Sequence, residues 1–196
     1  MPILPVKKEG RQDYRPIQDL RLVNQATVTL HPTVPNPYTL LSLLLPRTKF
    51  YTRLDLKDAF FCVCLAPVSQ PIFAFEWEDP VGGTKQQLIW IPPQGFKNSP
   101  AIFGEALTSD LNSFHPKEYG CWLLQYGDDL LLAAETKEKC WKGIKALLQL
   151  LMEAGYWVSK KKAQICKEEV RYLGFVLKKD TGFQTRVGSY ILMALA

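Results

Sequence analysis

No apolar run in the 196-residue chain approaches the roughly 18 residues that a membrane-crossing helix needs. The longest, around Leu40–Leu45 and Leu130–Ala134, fall far short. The opening Met1-Pro2-Ile3-Leu4 lacks the basic-then-apolar layout of an export signal, so the cytoplasm is the expected compartment and no membrane partner is expected. Histidine is scarce, with only His31 and His115. The five cysteines (Cys62, Cys64, Cys121, Cys140 and Cys166) are odd in number, which without an export signal argues against a disulfide framework. Cys62 and Cys64 would share one face of a strand, the wrong spacing for a zinc knuckle, and two histidines do little to complete a zinc site. The thiols therefore read as small buried hydrophobes. No internal repeat, low-complexity stretch or dividing linker is visible.

What is present is the balance of a soluble globular domain: 47% hydrophobic and 22% charged residues. That excludes a disordered tail, a collagen-like repeat and a coiled coil. The 24 Lys+Arg against 19 Asp+Glu leave a formal charge of +5. The basic residues cluster as Lys7-Lys8, Lys160-Lys161-Lys162 and Lys178-Lys179, a weak pointer to nucleic acid. Each cluster taken alone reads as a solvated face. The five Trp and eight Tyr offer stacking surfaces, although most belong in a core.

Residues 2–38 are rich in turn formers. Asp13-Tyr14-Arg15-Pro16 and the run from His31-Pro32 to Pro37 read as turns, because each proline biases its predecessor away from helix. A short helix is expected near Leu40–Leu45. Phe50–Leu56 alternates with period two, placing Phe50, Thr52, Leu54 and Leu56 on one face and Tyr51, Arg53 and Asp55 on the other, a strand with one buried side. Further strands are expected at Phe61–Leu65, Phe73–Phe75 and Leu88–Ile91. Ser99-Pro100 opens a helix whose buried stripe is Phe103, Leu107, Leu111 and Phe114. Trp122–Tyr126 and Asp129–Ala133 flank Gly127-Asp128, a tight-hairpin signature. Thr136 caps a second helix with the stripe Trp141, Ile144, Leu147, Leu148 and Leu151, and Gly155 is placed to end it. Val170–Leu177 is a strand pair around Gly174, and residues 182–196 show no period. Strands, helix, hairpin, helix, strands is the order of an α+β fold, an antiparallel sheet packed on helices, not a doubly wound parallel sheet.

The most informative segment is Tyr126-Gly127-Asp128-Asp129, flanked by apolar residues on both sides. Two adjacent acids at a buried hairpin repel each other and lose solvation. Turn chemistry accounts for one Asp beside a Gly but not for a second that begins the next strand. A hard divalent cation with oxygen ligands accounts for both. For an isolated Gly-Asp-Asp, an ordinary exposed acidic turn is the plain alternative. Asp55 is a second anomaly, an acid at the end of an apolar strand. Alone it reads as a surface acid or an ion-pair partner for Arg53. If it meets Asp128 and Asp129, three carboxylates form a two-metal cage suited to phosphoryl transfer.

Several long motifs, in order, closely resemble retroviral reverse transcriptases of the murine-leukaemia type and related endogenous elements. They are Tyr51-Thr52-Arg53-Leu54-Asp55-Leu56-Lys57-Asp58-Ala59-Phe60-Phe61, Pro93-Gln94-Gly95-Phe96-Lys97-Asn98-Ser99-Pro100 and Leu124-Gln125-Tyr126-Gly127-Asp128-Asp129-Leu130-Leu131-Leu132-Ala133. Leu4-Pro5-Val6-Lys7-Lys8, Asp13-Tyr14-Arg15-Pro16, the run His31 to Tyr38 and Tyr172-Leu173-Gly174 match as well. The resemblance extends from about Leu4 to about Lys179 and implies a right-hand polymerase fold. It assigns partial fingers roughly to residues 1–48 and 61–98, palm roughly to 49–60 and 99–180, and a divergent tail to 181–196. Thumb, connection and ribonuclease H would come from a parent polyprotein.

The resemblance further implies that Asp55, Asp128 and Asp129 hold two Mg²⁺ ions (with Mn²⁺ as a substitute) roughly 3.5–4 Å apart. The carbonyl of Leu56 would add a ligand, and the backbone at Asp58 and Ala59 would lie along a bound triphosphate. Lys8 and Arg15 match residues that clamp the nucleotide phosphates, which suits a point charge and a planar fork. Phe60 matches the aromatic gate that excludes a 2′-hydroxyl. Gln94 matches a nucleotide contact. Gly95, Tyr126, Leu173 and Gly174 fall where the family meets template and primer. The implied partners are an RNA or DNA template–primer and dNTPs, and the implied compartment is the cytoplasm, or the virion of the parent virus. The chain departs from the murine-leukaemia pattern at Gly127, usually β-branched there, and at Trp90–Gln94, which is one residue short and lacks a basic position. The readings left open are a catalytic RNA-directed DNA polymerase domain, from a truncated endogenous retroviral copy, a non-catalytic Pol remnant that retains nucleic-acid binding, and a fragment with no role of its own.

Overall fold

A computed structural model describes residues 3–7, 14–31, 35–44, 47–57, 62–78, 84–87, 95–178 and 182–185. Its residues fall into two compact units, Met1–Thr33 with Asp58–Leu107, and Val34–Lys57 with Thr108–Ala196. Among the described residues no helix is long and apolar enough to cross a membrane.

In the first unit, β1 (Ile3–Lys7) pairs antiparallel with β2 (Tyr14–Gln18), and helix α1 (Arg21–Ala26) follows. Its small core joins Leu20, Phe73 and Phe96, with Val23, Leu65 and Ile102 packed around them. The rings of Phe73 and Phe96 meet edge to face at 5.0 Å. Asn24 and Asn98 tie the backbone together. Asn24 Nδ2 donates to the carbonyl of Gly95 and its Oδ1 accepts from the Lys97 amide, both at 2.9 Å. Asn98 donates to Val28 and accepts from the Leu30 amide.

The strand expected at Phe61–Leu65 does not form: residues 62–66 carry no strand, and Pro67–Phe73 is a 3₁₀ helix. Pro67 and Pro71 fix φ and lack amide donors, so the chain from residue 67 onward does not continue in a sheet ladder. The next strand, β4 (Phe75–Glu78), starts at Phe75 and pairs with β5 (Thr84–Gln87). The strand expected at Leu88–Ile91 lies outside the described residues. Cys64 is exposed and Cys62 half-buried, so only Cys121, Cys140 and Cys166 behave as buried hydrophobes.

The second unit is built on one mixed-length antiparallel sheet. Helix α2 (Pro37–Ser42), capped by the Asn36 side chain, precedes β3 (Phe50–Lys57). Helix α3 (Ser99–Leu111) ends in this unit, followed by β6 (Cys121–Tyr126), β7 (Asp129–Ala134), α4 (Lys137–Glu153), β8 (Trp157–Val158) and β9 (Gln164–Lys167). The sheet order is β6-β7-β3, with β8 and β9 sharing the other edge of β3. A second sheet holds β10 (Glu169–Tyr172), β11 (Phe175–Lys178) and β12 (Gly182–Thr185), the last a strand that no periodicity announced.

The central strands are covered on both faces. Tyr51, Leu131 and Ala133 pack with Val170, Tyr172, Phe175 and Leu177 of the second sheet. Helix α4 packs on β3 and β7. Tyr51 is therefore as buried as Leu54, and the expected one-sided strand is two-sided. On the helix face, Thr52 Oγ1 accepts the Cys166 amide at 2.9 Å and lies 3.4 Å from the Cys140 thiol. That bond helps to hold Cys166 at φ 48, beside a register shift between β3 and β9. Burial pushes the Cys140 thiol up to about 12 and Cys121 to about 11, so both stay protonated and inert.

Thr136 caps α4 as expected, its side chain accepting the Lys139 amide. The buried stripe is Cys140, Gly143, Ile144, Leu147 and Leu151, whereas Trp141 is 44% exposed. Gly143 is there because a Cβ would come within 2.7 Å of Cys121 Sγ and 3.2 Å of Leu132 Cδ2. Gly143→Ala should therefore destabilise the protein by about 1 kcal/mol despite alanine's better helix propensity. In a Cys121→Ala background the same change should become neutral or stabilising. Urea unfolding of the four proteins checks this, and an unchanged sign would contradict the close approach.

Candidate active site

The site begins with strand register. Asp55 of β3 stands directly opposite Asp129 of β7, and Asp129 is opposite Tyr126 of β6. Gly127 and Asp128 form the two-residue turn between β6 and β7. Gly127 has φ 57 and Asp128 is not left-handed, the pattern of a type II′ turn, which asks for glycine first. The Leu56 amide donates to the carbonyl of Asp128 at 3.2 Å, extending the ladder one step past the paired acids. Asp55 and the adjacent pair Asp128-Asp129, more than seventy residues apart in the chain, thus share one corner of the sheet.

Hydrogen bonds hold the backbone of this corner from two further elements. The Ser159 amide donates to the carbonyl of Asp55 at 2.9 Å. The hydroxyl of fully buried Tyr172 donates to the carbonyl of Asp129 at 3.2 Å. Burial foremost, and then the nearby Asp129 charge, raise the Tyr172 phenol, so it remains a donor.

Each strand acid has its own cation. Arg53 places Nε at 3.1 Å and Nη2 at 2.9 Å from Asp129, both on Oδ1. Lys162 Nζ lies 3.1 Å from both oxygens of Asp55. This corrects the expected Arg53–Asp55 pair. Arg53 and Asp55 share a strand face two residues apart, but Arg53 reaches diagonally across the ladder to Asp129. Asp128, at the exposed turn, has its carboxyl raised above the ordinary value, first by desolvation and then by Asp129 and Asp55; a hydrogen bond from its own backbone amide, and more weakly Lys162, oppose the shift.

The donor set is all oxygen and all acidic, which fits Mg²⁺ or Mn²⁺ and not a softer ion. Both Arg53 bonds fall on one oxygen of Asp129. Among the described residues no three carboxylate, imidazole or thiol side chains are already turned toward one point. Register brings the three carriers to one corner of the sheet, although their carboxylates do not yet converge on one point.

The other expected site residues are distributed as follows. Leu56 is buried beside Asp55. Tyr126 and Leu173 are half-buried and pack against the same cluster as Tyr172. Leu173 and Gly174 form the β10–β11 turn with φ 50 and 81, a type I′ hairpin. Gly95 belongs to the other unit, at φ 94, with its carbonyl bound by Asn24. Arg15 lies on β2 opposite Val6. Lys8, Asp58, Ala59, Phe60 and Gln94 lie outside the described residues. Sequence reasoning missed Tyr172 as a support and Lys162 as a partner of Asp55. The lysine cluster was visible, but nothing local pointed it at an acid 107 residues away.

An α+β domain that gathers three acids at a hairpin of an antiparallel sheet has the build of a template-directed polymerase palm. The chain belongs to the reverse transcriptase (RNA-dependent DNA polymerase) family, which it matches over residues 6–177. It is 60% identical over 185 residues, 94% of its length, to the Gag-Pol polyprotein of baboon endogenous virus (strain M7) and, over the same length, to the Pol polyprotein of feline endogenous virus ECE1. It spans only 11% and 18% of those two relatives. Its fold is similar to that of a foamy viral protease-reverse transcriptase in complex with double-stranded DNA, with TM-score 0.75 and 31% identity over 94% of this chain and 30% of that one.

Two outcomes are expected. The raised carboxyl of Asp128 means that the folded state holds a proton there more readily than the unfolded chain. Its favourable contribution is complete below the ordinary value of 3.8 and is lost as pH rises through the raised folded value. Asp128→Asn should therefore raise the thermal midpoint at pH 7 without metal, and the gain should shrink toward about pH 3; calorimetry at both pH values checks it. Tyr172→Phe should cost about 1 kcal/mol by removing the bond to Asp129, read by chemical denaturation.

Proposed function

We propose that this chain carries the nucleotidyl-transfer site of an RNA-directed DNA polymerase, extending a primer 3′-hydroxyl with dNTPs on an RNA or DNA template. The observation that carries the reading is the register pairing of Asp55 with Asp129, with Asp128 bonded through its carbonyl to Leu56. In this reading the palm is roughly residues 49–60 and 99–180, which carry all three acids, and the fingers roughly residues 1–48 and 61–98.

Asp55, Asp128 and Asp129 would hold two Mg²⁺ ions, which when bound lower the pKa of the primer hydroxyl and neutralise the departing pyrophosphate. The protein's part is to orient. Strands β3 and β7 keep two acids at a fixed spacing, and the Gly127 turn presents the third to solvent. Arg53 fixes the rotamer of Asp129. Tyr126, Leu173 and Gly174 would support the primer end through backbone and apolar contact, which positions a duplex without reading its sequence. Lys8, Arg15, Asp58, Ala59, Phe60, Gln94 and Gly95 would line the nucleotide and template side. The place of action in this reading is the cytoplasm or the particle of the parent virus.

The test is extension of a labelled primer on an RNA template by the purified chain. Incorporation that requires Mg²⁺ or Mn²⁺, and falls at least a hundredfold in Asp128→Asn, is the expected result. Salt-sensitive binding of primer–template with no incorporation under either metal would instead support a non-catalytic nucleic-acid binder. Metal-independent extension would overturn the proposed site.

A further inference from the structure

We propose that Lys162 is the displaceable counter-ion of the acid site: its ammonium and a divalent cation compete for the two oxygens of Asp55, so Lys162 sets how tightly the site takes metal. The inference rests on the reading of Asp55, Asp128 and Asp129 as metal ligands. It adds a residue that this reading leaves unassigned.

The two cations of the site are built differently. Arg53 is half-buried, at 24% side-chain exposure, and its planar fork grips one oxygen of Asp129. A fork so placed holds a rotamer, and its weaker hydration suits it to a partly buried position. Lys162 is 65% exposed, while the Asp55 carboxylate that it meets is only 15% exposed. Its Nζ sits 3.1 Å from both oxygens, so the ammonium lies where a cation shared by those oxygens would have to approach.

The backbone delivers Lys162 to this place and leaves its stem free. The Ser159 amide is bonded to the carbonyl of Asp55, and the amides of Lys162 and Ala163 both donate to the carbonyl of Ser159. The turn between β8 and β9 is thereby pinned to the strand that carries Asp55. Its lysine cannot drift away, yet a four-carbon stem in solvent can swing its ammonium outward at little cost. An ion pair this exposed on one side is worth little by itself. A divalent ion among three carboxylates gains more than a single ammonium does, so displacement goes forward, and the residual competition weakens metal binding by a modest factor.

The test measures Mn²⁺ binding to the full chain from the magnetic resonance signal of the free ion. Lys162→Gln should tighten the apparent Kd by roughly three- to tenfold at low salt, and the gain should shrink at high salt. Lys162→Arg, which keeps the charge, should not tighten it. Lys161→Gln removes the same charge from the same turn and should shift the Kd by less than about twofold. As a second readout, the ¹⁵N signal of the Lys162 ammonium, assigned by its absence in Lys162→Gln, should move as Mg²⁺ is added. Wild-type Mn²⁺ binding that Asp128→Asn weakens, with Lys162→Gln unchanged or matched by Lys161→Gln, overturns this inference and leaves the metal site standing. An ammonium signal indifferent to Mg²⁺ does the same. No Mn²⁺ binding by the wild type, or binding that Asp128→Asn does not weaken, overturns both.

Discussion

The register of β3 against β7 is the constraint on which the rest depends. Side chains alternate along a strand, so a slip of one residue would turn Asp55 away from Asp129 and expel Thr52 and Leu54 from beneath α4. The core prevents that slip. Tyr51 is held by the second sheet, Leu54 is fully buried, and Thr52 is the acceptor for the Cys166 amide. Packing energy far from the acids therefore fixes the distance between them.

Gathering three carboxylates carries an electrostatic cost, and the surroundings offset it unevenly. Arg53 and Lys162 neutralise the two strand acids, and the turn acid is left with a raised carboxyl. Local repulsion that weakens the fold is what makes the corner attractive to a divalent cation. The supports are backbone contacts from rigid elements. Tyr172 and Ser159 hold carbonyls of the same two residues whose side chains face the site.

Local chemistry made some elements readable and left others hidden. Gly127 before Asp128 announced a hairpin because only glycine takes that φ without strain. Thr136 announced a helix start because its hydroxyl can replace a missing helical partner. The apolar run Phe61–Leu65 has the composition of a strand but gives way to a 3₁₀ helix from Pro67, where proline fixes φ and has no amide to donate. Trp141 fits the apolar stripe of α4 by spacing, but the helix turns it outward, and small Cys140 and Gly143 take the interior places. Large residues mark a stripe plainly, whereas a close approach between helix and sheet is made by small ones that carry little signal.

The chain's own residues were enough to establish an α+β fold, the acid hairpin, the capped helix and the kinship to retroviral reverse transcriptases. These rest on short-range rules or on long ordered motifs, which need no knowledge of what lies across the sheet. Only the tertiary structure decided which cation meets which acid, that Tyr172 braces Asp129, and that β3 is buried on both faces. Those facts depend on strand register and on contacts between residues more than a hundred positions apart, and nothing in a local pattern encodes that pairing.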